Sequence, residues 1–115
     1  MEVTIMKLLN RIKRYLSSDM DRSLDKCLLL VGHNACQWLK SCDKISQLSD
    51  VEFSVYSEWG EDGIIEWLIQ RVPISSRRFV EIGVEDYTIC NSLFLLQNRN
   101  WKGLAIDVGR PKRAF

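Results

Sequence analysis

Gly83 and Asp107 are the two residues of this chain whose types and spacing could do chemistry together. A short apolar run, FVEI, ends on Gly83, and apolar residues then resume at helical spacing. A strand that ends in glycine and opens into a helix leaves free backbone N–H groups at the helix start, where the helix dipole favours a polar or anionic ligand group. Asp107 stands about 24 residues after Gly83, directly behind a second apolar run, Leu104, Ala105 and Ile106. In dinucleotide-type β-α-β units an acid near that place accepts hydrogen bonds from ribose hydroxyls. The glycine content bears on which ligand could sit there. A pyrophosphate requires G-x-G-x-x-G, whereas Gly83 is followed by Val84, Glu85, Asp86 and Tyr87. Those side chains block close backbone approach, and the two acids repel phosphate. A cofactor without phosphates, bound through a sulfonium and an amino group, suits carboxylates better, so S-adenosyl-L-methionine fits the charge and NAD does not. The plain alternative is a strand end and loop over residues 81–87, with Asp107 a solvated acid.

The elements that must position these residues follow from periodicity. Ile5, Leu8, Leu9, Ile12, Tyr15 and Leu16 recur three or four apart, with Lys7, Arg11 and Arg14 opposite, which predicts an amphipathic helix over residues 4–16. Ser17, Ser18 and Asp19 are expected to break it, and Asp21 or Ser23 to cap a second helix. That helix carries Leu24, Cys27, Leu28, Val31, Ala35, Trp38, Leu39, Cys42 and Ile45, weakened locally by Gly32. After a connector over residues 46–52, the turn-like segment 60–63 leads into a helical face of Ile64, Ile65, Trp67, Leu68 and Val72, stopped by Pro73. Phe79, Val80 and Ile82 form a short buried strand. Ile89, Leu93, Leu95 and Leu96 form a helix capped by Thr88 or Asn91, and Leu104, Ala105 and Ile106 a second buried strand. The order is helices, then β-α-β.

Composition excludes several classes. Hydrophobic residues make up 46% and charged residues 27%, which suits a single globular domain and not a disordered chain. The net charge of +1 gives no global field toward nucleic acid. Trp38, Trp59, Trp67 and Trp101 lack an accompanying basic groove, so they read as packing residues, not a base-stacking platform. Charge is nevertheless uneven: Lys7, Arg11, Lys13 and Arg14 crowd the start, and Arg110, Lys112 and Arg113 the end. Cys27, Cys36, Cys42 and Cys90 contain no C-x-x-C pair, and His33 is the only histidine, so no zinc site is expected. Cys27 and Cys42 read as small core residues in a reducing compartment, a disulfide being the alternative. No apolar run reaches the ~18 residues of a membrane span, and no secretory signal is evident, which makes the cytoplasm the expected location.

Three blocks together, YSEWGEDGII (residues 56–65), FVEIGVEDYTICNSLFLL (residues 79–96) and NWKGLAID (residues 100–107), resemble the FkbM-like branch of class I S-adenosyl-L-methionine-dependent methyltransferases. Order and spacing correspond over roughly residues 50–107, about half the chain. The resemblance implies an α/β fold: N-terminal helices followed by the first β-α-β unit of a Rossmann-like methyltransferase sheet, incomplete. It divides the chain into a helical region, residues 1–49, and a partial methyltransferase domain, residues 50–115. It further implies that Glu81 and Gly83 form the cofactor-binding turn and that Asp107 takes the ribose hydroxyls. Ser57, Glu61 and Asp62 would lie against the methionine end. Glu58 departs from the family's usual glutamine, Tyr87 from a common glycine, and Ile89 and Cys90 from charged or small residues.

Such enzymes resemble a seven-stranded sheet, whereas two strands are offered here, and after Asp107 the stretch VGRPKRAF has no periodicity. The expectation is a truncated chain, the alternative being a small domain of this length. A strand left with one partner exposes an edge that templates pairing with another chain, and two strands alone are marginal. The first functional reading is therefore a methyltransferase relative holding part of a cofactor site, with no catalytic residue assigned and no metal. The second is a non-catalytic interaction module that binds a partner or a second copy through its helices and exposed sheet edge. A third lays the basic amphipathic helix on a membrane surface.

Overall fold

The computed structural model describes residues 2–108, so the basic residues Arg110, Lys112 and Arg113 lie outside it. The most extended element comes first. A single α-helix, α1 (Glu2–Leu39), of 38 residues replaces the two helices expected from the sequence. Ser17 and Ser18 do not break it, because their hydroxyls donate to the carbonyls of Arg14 and Tyr15 at 3.1 and 3.0 Å. Serine in that geometry folds back on the preceding turn and leaves the backbone ladder intact. Asp21 and Ser23 consequently sit within the helix and cap nothing. Ile45, expected on the same helix, lies beyond its end.

Residues 4–28 of α1 are all exposed, and among the described residues the last third of the helix is the part buried against the rest, at Gly32, Cys36 and Leu39. The molecule measures 65 × 32 × 22 Å as a result. Gly32, read from sequence as a weakness, permits close approach. A Cβ there would stand 2.5 Å from a Val55 methyl and 2.9 Å from the Phe94 ring.

A 3-10 turn (Leu48–Val51) leads through an extended segment to α2 (Glu61–Ile69), which ends four residues before Pro73. Then come β1 (Arg78–Ile82), α3 (Leu93–Arg99) and β2 (Lys102–Ile106). The strands pair in parallel, from Arg78 opposite Lys102 to Ile82 opposite Ile106. The fold is thus a mixture of helices and a two-stranded parallel sheet joined by a β-α-β crossover. Helix α3 starts later than expected: Ser92 holds the cap position, not Thr88 or Asn91, and Ile89 lies exposed before it.

The sheet packs on one face only. Phe79, Glu81 and Ala105 turn toward Val84, Tyr87, Cys90, Leu93 and Leu96, which form the main core. On the other face Val80 is 68% and Ile82 77% exposed, with Leu104 and Ile106 beside them. The expected burial of both strands therefore holds for alternate residues alone. Parallel strands are normally covered on both faces. Cys27, expected in the core, is exposed because it lies on the free part of α1, and Trp38 and Trp59 are exposed as well. Cys36 and Cys90 are the buried thiols. Among the described residues no helix is long and apolar enough to cross a membrane.

Candidate functional site

The site is built where β1 and β2 end. Gly83 takes a left-handed conformation, φ 81°, and its N–H donates to the Ile106 carbonyl at 2.8 Å, closing the ladder. Among the described residues no atom outside the turn's own neighbours lies within 4 Å of where a Cβ would stand on Gly83, so they leave the turn open there. Two further residues of the turn have positive φ, Glu85 at 48° and Tyr87 at 62°. Each such residue costs about 1–2 kcal/mol in the left-handed region, so the surroundings must hold the turn in place. Two contacts do so. The Glu85 N–H donates to Asp107 Oδ2 at 2.7 Å, and the Tyr87 N–H to the Val84 carbonyl at 2.8 Å.

Asp107 and the Gly83 turn, 24 positions apart in sequence, are therefore in direct contact. Val84 and Tyr87 do not block the turn as the sequence suggested. Both are turned into the core, and Tyr87 is fully buried with its hydroxyl 2.7 Å from Ser92 Oγ. What remains at the rim is acidic: exposed Glu85 and half-buried Asp86 and Asp107. Asp86 is held in turn by the Thr88 hydroxyl, which donates to Oδ1 at 2.6 Å.

Glu81 has a different task. It points to the covered face of the sheet, where Oε1 accepts the Asn91 N–H at 2.8 Å and Oε2 accepts the Ser92 N–H at 2.8 Å together with the Ser92 hydroxyl. These donors belong to the cap residue of α3 and the residue before it, which have no intrahelical acceptor. The carboxylate thus ties the strand to the start of the helix.

Ser57, Glu61 and Asp62 gather at the start of α2. Asp62 is buried, and its Oδ2 collects the N–H groups of Val55, Tyr56 and Ser57 at 2.8, 2.7 and 2.9 Å. In return the Asp62 N–H donates to Ser57 Oγ at 3.0 Å. Asp62 Oδ1 is buried with no hydrogen-bond partner among the described residues. Glu61 accepts the Trp59 N–H at 2.9 Å, and backbone N–H groups, its own and that of Trp59, hold its carboxyl below the usual range.

Cys90 links the two blocks. Its N–H donates to the Tyr56 carbonyl at 3.1 Å, next to the loop held by Asp62. Burial pushes its thiol up to about 11, and the Glu81 carboxylate, with Asp62 behind it, adds to the shift. A thiol so raised stays protonated near neutrality and is a poor nucleophile. The six residues singled out from sequence thus fall into groups: Gly83 with Asp107 at the strand ends, Glu81 on the covered face of the sheet, and Ser57, Glu61 and Asp62 at the start of α2, with Cys90 between the last two.

A buried ion pair escaped the sequence reading. Glu66, fully buried on α2, is bound by the Arg99 guanidinium from α3, whose Nε reaches Oε2 at 3.1 Å, and by Gln70 Nε2 at 2.9 Å. Its signal was present as a single acid inside the apolar run IIEWLI. The nearby Cys36 thiol is pushed up to about 12 by burial and then by Glu66. His33, given no role from sequence, meets Asn98 Oδ1 at 3.1 Å across the α1–α3 contact.

Among the described residues no group of three or more His, Cys, Asp or Glu side chains is placed to hold a metal. The arrangement offers an open glycine turn with an acidic rim, which can accept hydrogen bonds from hydroxyls and attract cationic groups. No family model matches the chain, and no curated protein or solved structure matches it.

Proposed function

We propose that the chain carries part of a methyltransferase-type cofactor site for S-adenosyl-L-methionine, on the first β-α-β unit of a Rossmann-like sheet. One observation carries this reading: Asp107, at the end of β2, grips the left-handed Gly83 turn at the end of β1 through the Glu85 N–H at 2.7 Å. Ligands of open parallel sheets bind at the carboxyl ends of the strands, which is where this contact lies. The residues present fit that cofactor. Gly83 leaves open space for a close approach. Asp107 offers a carboxylate to ribose hydroxyls, and Glu85 with Asp86 gives the rim a negative charge suited to a sulfonium and an amino group. When bound, the cofactor supplies an electrophilic methyl group.

Glu81, Ser57 and Asp62 act one layer back in this reading. Their carboxylates and hydroxyl are spent on backbone N–H groups that fix the starts of α3 and α2. Glu61, at the edge of that layer, keeps the SEWGED block near the methionine end. No residue is assigned to methyl transfer, and catalysis by this chain alone is not part of the proposal.

Calorimetric titration with S-adenosylhomocysteine tests it. Saturable binding by the chain, lost in Asp107→Ala and weakened in Gly83→Ala, supports the reading. No heat at millimolar ligand refutes it. A second reading, a non-catalytic interaction module, is favoured by the exposed length of α1 and the bare face of the sheet. The cytoplasmic location expected from the sequence is part of the proposal under either reading.

A further inference from the structure

Two apolar surfaces have none of the described residues packed over them. The first is the free part of α1, where Ile5, Leu9, Ile12, Leu16, Met20 and Leu24 form an exposed stripe. The second is the outer face of the sheet, where Val80, Ile82, Leu104 and Ile106 stand exposed side by side. A helix of this length, exposed throughout residues 4–28, draws little stability from propensity alone and needs its apolar face covered. A parallel sheet open on one face has the same requirement.

We propose that the chain forms a reciprocal dimer in which the α1 arm of each copy lies across the outer sheet face of the other. The dimensions agree. A strand of five residues is ~17 Å long, and the rise from Ile5 to Leu16 along a helix is also ~17 Å. Two strands ~4.8 Å apart, with their side chains, make a strip about as wide as one helix.

The same molecule cannot cover its own arm by closing. Ile5, Leu9, Ile12 and Leu16 lie about 140–180° from Gly32 around the helix at ~100° per residue, so this part of the stripe faces away from the surface that docks on α2 and α3. Charge favours the pairing as well. Residues 4–28 carry six basic side chains against three acidic ones, whereas residues 50–108 carry ten acidic against five basic. An arm of one sign approaching a body of the other is steered toward it.

Other occupants leave one of the two surfaces bare. A lipid surface, or a second arm alone, would cover the stripe and leave the sheet face open. The stripe also recurs every 3.8 residues or so, from Ile5 to Leu24 in five steps, and not at the 3.5 of a two-helix seam. A two-fold arrangement in which each copy gives an arm and receives one closes the assembly at two.

Sedimentation equilibrium of the full chain, from a few micromolar to several hundred, tests the proposal. The expected result is a monomer–dimer equilibrium. An arm variant, Leu9→Glu with Ile12→Glu, and a face variant, Val80→Lys with Ile82→Lys, should each weaken it at least tenfold. All four positions are exposed, so the fold of each variant, checked by circular dichroism, should persist. An equimolar mixture of the two variants should then regain dimer, because a mixed pair keeps one intact arm on one intact face. A chain that stays monomeric overturns the proposal. So does dissociation by the arm variant with no effect of the face variant, or a mixture that remains monomeric. Binding of the monomer to anionic vesicles, with no self-association, would assign the arm to a lipid surface and overturn the dimer equally.

Discussion

Glu81→Gln is the substitution that most sharply separates holding the fold from holding a ligand. In the native chain three donors converge on one carboxylate: the N–H groups of Asn91 and Ser92, each at 2.8 Å, and the Ser92 hydroxyl. Glutamine keeps the shape and one oxygen. Its amide nitrogen must then face an N–H that needs an acceptor. If the oxygen stays with Ser92, the Asn91 N–H is left facing the amide. Asn91 is exposed, so water takes over part of that bond, whereas Ser92 is buried and could not be served in the same way. A hydrogen bond to a charged acceptor contributes about 1.5–3 kcal/mol, which places the expected loss at about 2 kcal/mol. With a urea slope of about 1–3 kcal/mol per molar, the unfolding midpoint falls by about 1 M. Trp101, buried beside α3, reports the transition by fluorescence. Hydrogen exchange at Asn91 and Ser92 should speed up along with it, while Glu85→Gln, at an exposed acid, changes stability by less than about 0.5 kcal/mol. The reasoning is refuted if Glu81→Gln leaves both midpoint and exchange unchanged. Loss of S-adenosylhomocysteine binding in a variant of unchanged stability would instead put the carboxylate against the ligand.

Removing Arg99 strands Glu66 in the interior with Gln70 and the Cys36 thiol as its neutral partners. The general cost of breaking a buried pair is about 3–5 kcal/mol, but the Arg99 side chain is 34% exposed, so Arg99→Met should lose about 2 kcal/mol by chemical denaturation. Adding Glu66→Leu should restore most of it, and a double variant no better than the single one would count against the account. Gly63→Ala places a Cβ 2.1 Å from the Val51 carbonyl oxygen and 2.5 Å from the Phe53 nitrogen, both backbone. Neither can yield cheaply, so about 3 kcal/mol or more should go, against about 1 kcal/mol for Gly83→Ala, where the left-handed backbone is the sole penalty. Stability should also decline in alkali. The buried thiols of Cys36 and Cys90 titrate near 12 and 11 when folded and at 9.0 when free. The folded chain therefore holds those protons more tightly. Their contribution is complete below pH 9 and is lost as the pH rises through 11 to 12. Urea midpoints at pH 8 and 10.5 should fall less in Cys36→Ala with Cys90→Ala than in the native chain.

Much of the β-α-β unit was legible because its signals are local. Phe79, Val80 and Ile82 between basic residues and glycine, and Leu104 to Ile106 before Asp107, read as strands on composition and length alone. Pro73 marked the end of α2 only loosely: the helix stops at Ile69, and Val72, expected on its face, lies exposed beyond it. Failures came where distant residues decide. Ser17 and Ser18 carry an ordinary break signal, yet a serine hydroxyl that bonds to the carbonyl three residues back is equally compatible with a continuous helix, and a 38-residue helix formed. Cys27 lies on the apolar stripe read from the sequence and Cys36, nine residues on and half a turn round the helix, does not; yet Cys36 is the buried one, because it lies against α2 and α3 while Cys27 sits on the free arm. Burial of Val80 and Ile82 was inferred from their types, which state what a strand can bury and not whether anything arrives to cover it. In the site, Gly83 and Asp107 announced themselves by position. The tasks of Glu81 and Asp62 did not, since an acid that binds backbone N–H groups is spelled the same way as one that binds a ligand.

The turn at residues 83–87 connects fold and site. Glycine accounts for the left-handed backbone at Gly83, but Glu85 and Tyr87 adopt that region as well, at about 1–2 kcal/mol each. Tyr87 offsets its share through complete burial and its contact with Ser92. Glu85 is exposed and has no such compensation; its conformation rests on the bond from its N–H to Asp107. Under the proposed function Asp107 has two tasks, since the carboxylate proposed for the ribose hydroxyls is also the one that steadies the strained residue. A ligand hydroxyl donating to Asp107 draws on the same negative charge as the Glu85 N–H, so ligand affinity and turn geometry are coupled through one side chain. Asp107→Asn tests that coupling more finely than alanine does, because asparagine keeps an acceptor for Glu85 while giving up the charge. Exchange at the Glu85 amide should then stay slow while S-adenosylhomocysteine binding weakens. Rapid exchange with binding unchanged would show that Asp107 serves the turn alone.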